Sequence, residues 1–201
     1  MSIKSSIVLA FHCPYDFSNN RFYKREVMSN RLLYKVIGPF QHVAILCGAS
    51  QKKNYINTFY SIYITKRTSG KIFCGQTTFT HPGYCFYRIP ATVAQQKRLT
   101  QIALELSAKK TYLSTWKLSG LNRWTNDLDI RTRKDQLGWI CTELSMFLLQ
   151  EAGIISNETN PKQFTPTEMF EYLAKNRLGS TVKLYNQSLD AFETYKRYKD
   201  S

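Results

Sequence analysis

Residues 139–154 read Trp139-Ile140-Cys141-Thr142-Glu143-Leu144-Ser145-Met146-Phe147-Leu148-Leu149-Gln150-Glu151-Ala152-Gly153-Ile154. Cys141, Leu144 and Leu148 recur on one face with Phe147 beside them, which predicts a helix over 137–152 with Gly153 as its C-terminal stop. A cysteine near the start of a helix has a specific chemistry. A thiol is mostly protonated at neutral pH, whereas the thiolate is the nucleophile. The unpaired N–H groups and positive dipole end of a helix start favour an anion there. The Cys141 N–H would also face the oxyanion of an attacked carbonyl. Read alone, the same residue is a small buried hydrophobe.

Such a nucleophile needs a base within hydrogen-bond reach. The chain has three histidines, His12, His42 and His81. His42 heads the apolar run Phe40-Gln41-His42-Val43-Ala44-Ile45-Leu46-Cys47, which reads as a strand ending at Gly48. A rigid strand aims an imidazole well. His12 and His81 have no partner motif and read as structural or solvent-exposed.

Working outward, 7–11 reads as a first strand and 18–36 as a basic helical stretch before the breaker Gly38-Pro39. The β-branched and aromatic residues of 55–66 predict one or two strands. Further strands are expected over 71–80 and 84–89, joined by the turn His81-Pro82-Gly83. Thr92-Val93-Ala94-Gln95 fits a capping box, and Leu99, Ile102, Ala103 and Leu106 follow at helical spacing. The stretch 110–130 reads as an irregular covering loop. Thr165-Pro166-Thr167-Glu168 is a second capping box with Pro at the first helical position, opening a helix to about 176. A strand over 182–185 and a short helix are expected in the tail. There is no repeat and no linker, so the expectation is one α+β domain over 1–201, with a core of about 5–176 and a C-terminal extension of 177–201.

Hydrophobic residues make up 43% of the chain, enough for a real core, and no stretch approaches the roughly 18 apolar residues of a membrane span. The short apolar run at the start lacks a small-residue cleavage site and is read as a strand, not a signal peptide. Lys and Arg number 28 against 14 Asp and Glu, a net charge of +14, which suits an anionic partner such as cell-wall polymer, lipid head groups, nucleic acid or an acidic protein. Cys13, Cys47, Cys74, Cys85 and Cys141 form no CxxC pair and show no zinc-ligand spacing. Neither a disulfide framework nor a metal or other cofactor is expected, and the fold is expected to form in a reducing cytoplasm.

The order of the two motifs, FQHVAIL before CTELSMFLLQEAGI, resembles the circularly permuted branch of the NlpC-type papain-like cysteine amidase and peptidase superfamily. That branch places "H-v-a-i" on a strand and, later, "C-S-E-L-v" on a helix ending in "a-G-i"; the Thr165-Pro166 helix start also fits it. The likeness covers roughly 5–175. It implies a papain-like fold, with an antiparallel sheet packed on helices and the nucleophile at a helix N-terminus. It implies Cys141 as nucleophile and His42 as base. A third group is expected on the strand after the His strand, where the branch often has Glu. The matching segment, Ile72-Phe73-Cys74-Gly75-Gln76-Thr77-Thr78, has no carboxylate, so Gln76, with Thr77 next, is the candidate to orient His42.

The resemblance further implies cleavage of an amide or peptide bond through a thioester acyl-enzyme. The expected substrate is an anionic cell-wall (peptidoglycan) peptide, and the enzyme would be a toxin or effector delivered without a cleavable signal peptide. An inhibitor or immunity protein is a possible partner, and a monomer is expected. Two other readings stand beside it: a lipid acyl hydrolase or transferase of the same fold, with 112–139 lining an acyl groove, and an inactive basic binding module. No nucleic-acid motif is visible to support nucleic-acid binding by that module.

Overall fold

Ile7, Leu9 and Phe11 alternate with Val8 and Ala10, so the first strand is apolar on both faces and belongs inside a sheet covered on both sides. In the computed structural model, which describes residues 6–16, 21–22, 34–49, 58–64, 72–79, 83–108, 112–113, 138–184 and 190–200, this segment is β1 (Ser6–His12). It lies between β4 (His42–Ala49) and β7 (Tyr84–Pro90). The sheet continues through β5 (Thr58–Ile64) and β6 (Ile72–Thr78) on one side and β10 (Ser180–Val182) on the other, in the order β10-β7-β1-β4-β5-β6. Each neighbouring pair is antiparallel. Short pieces complete the strands: β2 (Tyr15–Asp16) pairs with β3 (Arg21–Phe22), and β8 (Tyr112–Leu113) pairs in parallel with β9 (Gly138–Trp139).

Among the described residues four helices of nine or more residues accompany the sheet: α1 (Val93–Ala108), α2 (Cys141–Glu151), α3 (Pro166–Lys175) and α4 (Ala191–Lys199). The mixed α+β class expected from the sequence is what the chain adopts. Both capping boxes form. The Gln95 N–H donates to Thr92 Oγ1 (3.1 Å) while Gln95 Oε1 accepts from the Thr92 N–H (2.9 Å), and Thr165 and Glu168 do the same at α3. The expected apolar stripe of α1, Leu99, Ile102, Ala103 and Leu106, is buried.

Side-chain alternation divides the core in two. Ile7, Leu9, Phe11, Val43, Ile45, Cys85, Tyr87 and Ile89 face the helices, meeting Leu99 of α1, Leu144 and Leu148 of α2 and Phe170 of α3. Val8, Ala10, Ala44, Leu46 and Phe86 face the other way, with Phe79.

Several expectations need revision. The helix read as 137–152 begins only at Cys141, because Gly138 and Trp139 are spent on β9. Nor does α2 show a single buried face: every residue from Thr142 to Gln150 is buried, Glu143 and Ser145 included. The helix is packed on several sides at once, by β4, α1, α3 and the 3-10 turn Pro161–Gln163. Residues 55–66 contribute one strand. In 18–36 the described residues are β3 and the start of a helical turn at 34–37; the rest of that expected helix, and most of the 110–130 loop, lie outside the described residues.

The C-terminal extension is no appendage. β10 completes one edge of the sheet on β7, Ala191 of α4 is fully buried, and Thr194 Oγ1 accepts from Cys85 Sγ at 3.5 Å. Among the described residues no helix is long and apolar enough to cross a membrane.

Candidate active site

Cys141 is the first residue of α2. The preceding residue, Ile140, caps the helix with extended backbone and makes no side-chain cap hydrogen bond. The N–H groups of Val43, Thr142 and Cys141 itself approach Sγ and pull its pKa down, although burial outweighs them and leaves the thiol above its ordinary value. Next to it, the Thr142 hydroxyl is fully buried and has no hydrogen-bond partner among the described residues.

The Val43 contact fixes where the sulfur sits. Phe11 of β1 is opposite Val43, so the β1 flank of β4 is occupied at this level. Among the described residues the paired register with β5 runs from Ile45, opposite Ile62. The sulfur lies by Val43 on the helix side of the sheet, where Cys141 packs against the central core.

His42 precedes Val43 and is the first residue of β4. It is half-buried, and burial pushes its imidazole down to about 4. Alternation places it in the series of Ala44 and Leu46, opposite the helix-facing Val43 and Ile45. Among the described residues no hydrogen bond joins the ring to Cys141 Sγ. Cys141 packs with the helix-side core, whereas His42 alternates to the opposite face of β4.

The third candidate is not brought to them. The strand following the His strand is β5, and the segment with Gln76 is β6, one strand further out. Gln76 is exposed and stands opposite Tyr60, which falls at the irregular stretch between Leu46 and Ala49. At about 3.4 Å per residue and about 4.8 Å per strand, Gln76 is roughly 17 Å along and 10 Å across from His42. Thr77, opposite Phe59, is one step further away. The sequence match put the segment on an adjacent strand because 55–66 and 71–80 are equally strand-like and only pairing separates them.

The residues level with His42 are instead His12 of β1, directly opposite it, and Tyr84 of β7, opposite His12. The His12 and Tyr84 rings are 5.0 Å apart, and Tyr84 packs edge-on against Phe79 at 4.9 Å. The sequence held a signal for this row. One apolar run ends in a histidine and the other begins with one, so antiparallel pairing of the two sets the histidines opposite each other.

The remaining described cysteines, Cys13, Cys74 and Cys85, are free thiols. Burial pushes Cys13 up to about 12 and Cys74 up to about 11, and holds Cys85 well above its ordinary value. Among the described residues no cluster of three or more His, Cys, Asp or Glu side chains could hold a metal ion. Comparison of the chain with protein-family models, with curated proteins and with solved structures finds no match.

Proposed function

We propose that the chain is a cysteine hydrolase of papain-like, permuted NlpC-type architecture that cleaves an amide or peptide bond. Cys141 attacks the carbonyl, His42 accepts the thiol proton and later returns it to the leaving amine, and a thioester acyl-enzyme is resolved by water. The observation that carries this reading is the position of the Cys141 thiol. It stands at the first residue of a helix with no side-chain cap, against the N–H that follows His42. Because burial disfavours charge on both groups, the resting pair is neutral thiol and neutral imidazole, and the proton moves as attack proceeds. The N–H groups of the first turn of α2 are the donors available to the oxyanion. A net charge of +14 suits an anionic substrate such as a peptidoglycan peptide.

The test is covalent trapping. The full chain is incubated with an activated acyl ester, and in parallel with peptidoglycan stem peptides, and adducts are mapped by mass spectrometry. The expected adduct is on Cys141, absent in Cys141→Ala and slowed at least about 100-fold in His42→Ala. Acylation spread evenly over the cysteines, or indifferent to His42, would overturn the reading.

A further inference from the structure

The helices α3 and α4 meet along an aromatic seam that stays open to solvent. Phe170 of α3 is buried and packs against the rings of Phe192, at 5.3 Å, and Tyr195, at 5.7 Å, on α4. On the other wall Phe164 and Tyr172 pack edge-on at 5.3 Å. These five rings line a groove of about 730 Å³, room for a few side chains of a bound segment. Phe192 remains 46% exposed at its edge. An aromatic ring left half in water beside a groove of its own kind gains by being covered. We propose that the groove docks an acidic segment of a partner protein, anchored by one large apolar side chain. The inference does not depend on the hydrolase reading.

Charge selects the occupant. Two carboxylates line the groove, and both are engaged. Glu168 accepts from the Thr165 N–H at 2.7 Å. Glu171 accepts from the Tyr195 hydroxyl and pairs with Lys199 Nζ at 3.6 Å. Lys199 also lies over the Tyr195 ring, 5.3 Å from its centre. The Glu171–Lys199 pair is exposed, so it contributes little, and Lys199 can turn to an incoming carboxylate at small cost. Lys175, one turn on from Glu171, lines the same groove, is exposed and makes no ion pair among the described residues. Neither Glu193 nor Asp200, the other acidic residues of α4 and its cap, lines the groove.

At longer range the net charge of +14 draws an acidic partner in and opposes a second copy of the chain. A membrane fits poorly, because a membrane-surface helix presents its apolar face outward, whereas these rings line a concavity. Duplex nucleic acid fits poorly as well. Its charge is continuous along the backbone, and Glu168 and Glu171 interrupt any such track. A peptide can set its carboxylates at Lys175 and Lys199 and its apolar side chain against Phe192.

The experiment pans a random peptide library, displayed on phage, against the immobilised full chain. Labelled consensus peptides are then titrated by fluorescence anisotropy. The expected consensus has carboxylates flanking one large apolar residue, and its binding should weaken with added salt. Phe192→Ala and Lys175→Glu should each weaken it at least about tenfold. Replacing the peptide's acidic residues with lysine should restore binding to Lys175→Glu but not to Phe192→Ala. Lys175 is exposed, so its variant carries the test even where Phe192→Ala loosens the packing on Phe170. A library that yields no acidic consensus overturns the proposal, as does a consensus peptide that binds Lys175→Glu as tightly as the wild type. If phosphatidylserine vesicles or duplex DNA displace the peptide with the same dependence on Lys175 and Phe192, the groove is a general polyanion site and the proposal is wrong.

Discussion

His42 shows how one buried ring links stability to reactivity. Its pKa falls from 6.5 to about 4 because the neutral form is the one that fits a half-buried site at the end of a sheet. The folded state therefore refuses a proton that the unfolded chain accepts. The stability that goes with the neutral ring is complete above pH 6.5 and is lost as pH falls through 6.5 towards 4. By pH 5 the loss is about 2 kcal/mol. Urea unfolding of wild type and His42→Gln at pH 7.5 and 5 should show that difference, with the variant less sensitive to acid; equal sensitivity would mean that the ring is solvated. Under the proposed hydrolase reading, the same shift would set the acid limb of activity. The free-protein base controls kcat/KM, so the acid midpoint should fall near pH 4, well below the 6.5 of a solvated imidazole.

At the scale of elements, β4 is aimed by its neighbours. Gly38 adopts φ +88, and a Cβ there would come within 2.5 Å of Thr167 Oγ1. Thr167, at the start of α3, accepts from the Phe40 N–H at 3.2 Å and donates back to the Phe40 carbonyl at 3.4 Å. The first turn of α3 thus clamps the chain two residues before His42. Thr167→Val keeps the shape and leaves the buried Phe40 N–H unpaired, which should cost about 1–3 kcal/mol in denaturant unfolding. Gly38→Ala should cost more, since it adds left-handed strain to the clash. An unchanged midpoint in Thr167→Val would show that the clamp contributes nothing. The capping boxes are legible in the sequence, because both partners lie within four residues of each other. The clamp is not, because its partners are 127 residues apart.

For the whole molecule, β10 and α4 are structural members of the domain. β10 covers the free edge of β7, Tyr87 Oη donates to the Leu173 carbonyl at 3.3 Å, and Phe192 and Tyr195 of α4 pack on Phe170, itself in the central core. A chain ended after residue 176 should not unfold cooperatively, as judged by circular dichroism and amide dispersion. A sharp transition near that of the full chain would restore the core of 5–176 read from the sequence. What the sequence determined by itself is what depends on near neighbours: the strands around residues 7–11 and 42–47, the capped starts of α1 and α3, the cysteine near a helix start and the histidine at a strand head. Hydrophobic period and capping chemistry act over a few residues, so they can be read one-dimensionally. Tertiary structure alone decided that β5 separates β4 from β6, that His12 stands opposite His42, that α2 is buried along its length, and that the Cys141 sulfur lies by Val43. Each of these depends on register and packing between segments far apart in the chain, and a one-residue change of register would send every side chain of a strand to the other face.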